Sequence, residues 1–190
     1  MRLLRWSMIC FFCFVQGTCA QNSPQVDTSS QTKTKLELFQ ARTGVVIIRG
    51  FSKIGTVNGR FNGNASVESK EFTDASSGKK EYGITVEVAN SGEMKRDHTS
   101  YIDYDEIDSL LKGIDYISKV NGSSTKLSDF QADYRTKGEL EISTFSSSGK
   151  IMVAVSSGII GQTSTFLDLT QLAQLRELIV KAKSSLDAIK

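Results

Sequence analysis

Hydrophobic and polar positions alternate in two different rhythms along this chain, and each rhythm occurs twice. Between Tyr101 and Ile117 the apolar residues Ile107, Leu110, Leu111, Ile114 and Ile117 follow a helical spacing, with acidic Asp103, Asp105, Glu106 and Asp108 at its start. Phe166 to Lys181 repeats the pattern. Ile102, Asp103, Tyr104, Asp105, Ile107, Leu110 and Ile114 stand 65 positions before Leu167, Asp168, Leu169, Thr170, Leu172, Leu175 and Ile179. The second apolar stripe runs on through Ala182, Leu186 and Ile189.

Upstream of each helix the rhythm changes to period two, as in strands with one buried face. Phe61–Phe72 has the length of Tyr134–Phe145 and sets Glu68 opposite Glu141, at an offset of 73. A small polar turn follows each, and then Ile84–Val88 matches Ile151–Val155 at an offset of 67. The falling offset places insertions in the loops of the first half. Val45-Val46-Ile47-Ile48, bracketed by Gly44 and Gly50, reads as a buried strand, and Leu36–Ala41 fits either a helical turn or an edge strand. The pattern predicts an α+β fold, a duplicated unit of antiparallel strands followed by one helix. Both helices pack on one side of a single sheet or of two halves related by a pseudo-twofold. The repeats run from about residue 43 to 120 and from 127 to 190, within one domain over 35–190.

The first 20 residues alter the charge balance. Arg2 and Arg5, an apolar run from Trp6 to Val15, and small residues at Thr18 and Ala20 read as a secretory signal with cleavage between Ala20 and Gln21. The run is too short to span a bilayer as a helix. The expected location is outside the cytoplasm, secreted or periplasmic; acylation of Cys19 is disfavoured by Gln16 where such signals carry leucine. Residues 21–34 are polar and read as a disordered tether. Without the leader, 23 basic residues become 21 against 21 acidic ones, and Cys10, Cys13, Cys19 and Trp6 are gone. A neutral chain argues against nucleic acid as partner, and a cysteine-free one must be held by its core.

Candidate chemistry is sparse. Asp105 and Asp108 read as N-cap and N3 of the first helix, with Thr170 as the cap of the second; the spacing from Asp103 lacks the glycine and glutamate of a calcium loop. His98, the only histidine, sits in the charged run Lys95-Arg96-Asp97-His98 and reads as a solvated loop residue. One histidine and no cysteine exclude a Cys–His nucleophile or a Cys/His zinc site after cleavage. Ser146–Ser148 lack a nucleophile-elbow context, and Gly78-Lys79-Lys80 lacks the rest of a phosphate loop. Lys79, Lys80, Lys95 and Arg96 are a candidate anion patch, read as solvated loop surface, and Asn64 and Asn121 head glycosylation triplets.

The order of elements resembles that of the whirly, Pur-type and TATA-binding folds, a resemblance of topology that implies a fold and no activity. The residues favour a non-catalytic protein that binds an unknown protein or small ligand through the sheet face left open by the helices, with no cofactor and no metal. The alternatives are a hydrolase using carboxylates such as Asp103, Glu68 and Glu141, and an envelope-anchored structural protein. Candidates for the functional surface are Asp103, Asp168, Tyr101, Tyr104 and His98.

Overall fold

The computed structural model describes residues 33–91, 95–147 and 149–190. The leader, its cleavage point, Cys19 and the tether as far as residue 32 lie outside the described residues. Eight strands form two four-stranded antiparallel sheets in chain order. Sheet 1 holds β1 (Ile47–Asn58), β2 (Gly63–Asp74), β3 (Lys80–Asn90) and β4 (Arg96–Asp103); sheet 2 holds β5 (Gln131–Arg135), β6 (Leu140–Ser147), β7 (Lys150–Ser157) and β8 (Thr163–Leu167). A short helix α1 (Lys35–Gln40) precedes sheet 1, α2 (Ile107–Ile117) follows it, and α3 (Leu169–Asp187) follows sheet 2.

Alternation along the strands builds one core from both sheets. Ala65, Val67, Ile84, Val86 and Ile102 of sheet 1 meet Leu140, Ile142, Val153, Val155 and Leu167 of sheet 2, all buried. The predicted helical stripes supply the rest: Ile107, Leu110, Ile114 and Ile117, then Leu172, Leu175, Ile179, Ala182 and Leu186. Ile189 lies past the end of α3 and is 56% exposed. Each helix crosses to the other sheet, α2 lying against β5 and β6 and α3 against β1 and β2. Arg176 of α3 grips Asp115 of α2 through Nε at 2.6 Å and Nη2 at 2.8 Å, fixing one helix on the other.

Two glycines let these crossings come close. A Cβ on Gly113 of α2 would sit 2.3 Å from the Tyr134 ring of β5, and one on Gly55 of β1 would sit 2.7 Å from Leu178 of α3. Backbone and side chain approach closely because one partner at each crossing has no side chain.

Several expectations need correction. Val45–Ile48 is not a buried strand: β1 begins at Ile47, lies at the edge of sheet 1, and leaves Val46 68% and Ile48 57% exposed. Of the run, Ile47 packs against the cluster beneath α1, while Val46 and Ile48 stay open to solvent. Leu36–Ala41 resolves as helix, because Thr34 and Glu37 form a capping box at its start. That helix packs on the face of sheet 1 turned away from α2 and α3. Leu36 and Phe39 close a small cluster of their own with Phe72, so the helices do not all lie on one side. The strand equivalence also slips by two: Ile84 pairs with Ile102, whereas Leu167 pairs with Val153, not Ile151. A shift of two keeps the face, so periodicity alone could not detect it.

Candidate functional site

The outer face of sheet 1 is built from the polar phase of its strands. Register places Lys53, Glu68, Thr85 and Tyr101 in one row across β1 to β4, and Thr56, Ser66, Glu87 and Thr99 in the next. A bulge between Lys53 and Gly55 breaks the β1 ladder at this level, and bulges bend a strand and raise its twist. Together these rows line a cleft of about 300 Å³ that also takes in Gly55, Val67 and Lys70.

Within the cleft the charges are unevenly satisfied. Lys70 pairs with Glu68 and stands 5.0 Å from the centre of the Phe51 ring. Thr56 Oγ1 and Ser66 Oγ share a hydrogen bond of 2.9 Å. Lys53 and Glu87 are exposed and make no ion pair among the described residues. The surface therefore offers one free cation, one free carboxylate, several hydroxyls and the half-buried Tyr101 ring, and it is neither uniformly charged nor wholly apolar.

Helix α1 lies over the next row of the same face. Asp103, at the end of β4, is 2% exposed; its Oδ2 accepts the Lys35 N–H at 2.8 Å and its Oδ1 the Leu36 N–H at 3.1 Å. Those are two of the free donors at the start of α1, where a carboxylate also meets the positive end of the helix dipole. Gly83, opposite Asp103 in register, lets the helix down onto the sheet, since a Cβ there would lie 2.5 Å from Leu36 Cδ1. Tyr101 packs against the cluster beneath α1, and its hydroxyl stands 3.5 Å from Gln40 Oε1.

The sequence candidates are thus dispersed. Tyr101 enters the cleft, and Asp103 anchors the helix beside it. Asp168 instead caps its own helix: Oδ1 accepts the Gln171 N–H at 2.8 Å, and Gln171 Oε1 accepts the Asp168 N–H at 2.8 Å. Thr170 is accordingly not the cap of α3. Asp105 is not a cap either, because a 3₁₀ turn over Tyr104–Glu106 precedes α2 and no side chain caps it. Asp105 binds Lys35 at 2.7 Å and is held below the usual carboxylate range by that contact; Asp108 binds Lys183 at 2.6 Å.

Tyr104 donates to Asp187, which raises its phenol pKa, and Lys190 Nζ sits 3.7 Å over its ring. His98 is not a solvated loop residue: it lies in β4, half-buried, with Nδ1 2.9 Å from Ser157 Oγ of β7, which in turn meets Ser100 Oγ at 2.6 Å. Ser157 has no exposed surface, so this Ser–His contact joins the two sheets and presents no nucleophile to solvent. Lys79 and Lys80 stand at the start of β3 and Arg96 pairs with its far end at Asn90, so the basic residues share no patch. Glu68 and Glu141 sit in different sheets, each paired with its own cation, Lys70 and Arg135. Among the described residues no three His, Cys, Asp or Glu side chains gather as a metal set, and no helix is long and apolar enough to cross a membrane.

Lys53, Lys70, Thr85, Glu87 and Thr99 were not singled out from the sequence. Their signal is the outward phase of the alternation, which names a face only once the pairing of strands is known. Compared with known proteins, the chain matches no family model, no curated protein and no solved structure.

Proposed function

We propose that this chain is a non-catalytic binding protein, secreted or periplasmic, whose ligand sits on the outer face of sheet 1. The observation that carries the reading is the cleft of about 300 Å³, floored by hydroxyls and bordered by Tyr101, in which Lys53 and Glu87 have no ionic partner. Solvent-exposed charges are common. Opposite charges left free on β1 and β3, on either side of a Glu68–Lys70 pair, offer a ligand two fixed points of opposite sign. The carboxylates that hydrolysis would need are otherwise engaged, Asp103 by α1, Glu68 by Lys70 and Glu141 by Arg135. Export rests on the leader pattern of the first 20 residues.

The same reading takes the two halves as copies of one unit that have exchanged helices. If Ile102 and Leu167 correspond, the ladders carry Ile84 to Val153, Val67 to Ile142 and Gly55 to Tyr134. The 65-residue offset of the helices carries Gly113 to Leu178. The Gly55–Leu178 and Tyr134–Gly113 crossings are then the same contact with its large and small partners reversed. The duplicated faces differ where it matters for binding, since Lys53, Glu68 and Tyr101 of sheet 1 face a role that Asp133, Ser143 and Phe166 hold in sheet 2.

Thermal-shift screening of the full chain against small sugars, amino acids and short peptides tests the binding reading. A compound that stabilises the wild type should bind Lys53→Ala/Glu87→Ala/Tyr101→Ala at least about tenfold more weakly, a loss of roughly 1.4 kcal/mol. Equal affinity in that variant, with its fold intact by circular dichroism, contradicts it.

A further inference from the structure

Strand β1 is an edge of sheet 1, and its residues Ile48 to Lys53 are exposed without a break. Edge strands defend their unpaired N–H and C=O groups with proline, charge, bulges or cover, and β1 has Arg49, Lys53 and a bulge after Lys53 but no proline. Here the edge carries Ile48 at 57% and Phe51 at 63% exposure, one on each face of the pleat. Gly50 lies between them and is not required by the fold. Its φ is not positive, and a Cβ there would meet nothing closer than 3.5 Å. A glycine inside a strand weakens it and often marks the close approach of another backbone.

We infer that a second copy of this chain pairs with β1, antiparallel and about a twofold axis through Gly50, joining two sheets into one of eight strands. Charge narrows the register, and the shape of the groove beside Gly50 selects among those left. The charged residues of β1 are Arg49 and Lys53, and an axis through Arg49, Phe51 or Lys53 sets cation against cation. An axis through Gly50 sets Arg49 opposite the second copy's Phe51, and Lys53 opposite its Ile47. Cation and ring already meet in this way on the same face, where Lys70 stands over Phe51 and Arg49 lies 6.0 Å from the Phe72 ring. Shape then selects. Beside Gly50 runs a groove of about 310 Å³ lined by Gly50, Ser52, Leu186 and Ile189. The same register brings the second copy's Ile48 opposite Ser52, at the mouth of that groove, and the symmetry fills both grooves alike. Both sheets keep the same face outward, so the two clefts open side by side.

Sedimentation equilibrium and directed cross-linking test the pairing in the full chain with Cys10, Cys13 and Cys19 changed to serine. A thiol at Gly50→Cys meets its own copy at about 4.5–5.5 Å between Cα atoms, within disulfide range. Val46→Cys stands eight positions from its copy, about 27 Å away. The expected results are a concentration-dependent dimer, cross-linking of Gly50→Cys at least about tenfold faster than Val46→Cys, and a monomeric Ile48→Lys of unchanged circular dichroism, since burying an unpaired charge opposes association. A chain that stays monomeric to about 100 µM, equal cross-linking of the two thiols, or a dimer that survives Ile48→Lys overturns the inference. None of these readouts depends on a ligand, so they are independent of the binding reading.

Discussion

Asp103 is a buried carboxylate answered by two backbone N–H groups of α1, with no cation in contact. Removing it leaves the buried Leu36 N–H and the part-buried Lys35 N–H without their acceptor, so Asp103→Ala should cost about 1–3 kcal/mol in urea denaturation. Amide exchange over Leu36–Gln40 should accelerate at the same time. Asp168→Ala, which removes a local cap, should cost about 1 kcal/mol and leave α1 undisturbed. The sequence marks these two aspartates as equivalent, and their environments separate them: one caps the helix that follows it, the other a helix some 70 positions earlier in the chain. The first use is local, although spacing alone assigns that cap to Thr170 rather than Asp168; local spacing contains no information about the second.

Asp74 ends β2 and is fully buried. Its Oδ1 accepts Ser76 Oγ at 2.6 Å, Ser76 N at 2.8 Å and Ser77 N at 3.2 Å, and Oδ2 faces Arg42 at 2.8 Å, an ion pair off the line a hydrogen bond needs. The Ser76 hydroxyl first, then the turn amides, hold its pKa well below the ordinary carboxylate range. A depressed folded-state pKa gives stability that is complete above the unfolded value near 4 and is lost as pH falls toward the folded one. Melting from pH 7 to 2 should therefore find Asp74→Asn less stable at neutral pH. The gap to wild type should narrow below about pH 4; a gap that stays constant would contradict this assignment.

Among the elements, the helix crossings carry the sharpest prediction. Glycine to alanine inside an exposed helix ordinarily stabilises by about 0.5–1 kcal/mol. At Gly113 the sign should reverse, because the new Cβ meets the Tyr134 ring, and overpacking a core costs roughly 1–3 kcal/mol. Combining Gly113→Ala with Tyr134→Leu should recover part of that loss, and a double-mutant cycle measures how much. The helices themselves were legible because their apolar stripes are long and regular. Strand β1 was misread for a physical reason: a β-branched run looks the same whether a second layer covers it or not. Helix α1 is too short for periodicity to separate it from a strand, and only the Thr34–Glu37 box decides it.

Across the whole molecule, α3 covers one face of sheet 1 and leaves the other open, and α1 lies over one row of that open face. Antiparallel strands with helices, an α+β fold, were legible from the two rhythms, whereas those rhythms leave the division into two sheets open and do not reveal the cleft. Its residues come from four strands and meet only through register, which depends on bulge positions and loop lengths that no single segment reveals. The central claim is that ligand binds on this face. Backbone amide shifts of the full chain, followed by nuclear magnetic resonance while stabilising compounds are titrated, test it most directly. The account predicts perturbations centred on Lys53, Ser66, Glu68, Thr85, Glu87, Thr99 and Tyr101. Perturbations confined to sheet 2, or to the solvent faces of α2 and α3, would contradict it.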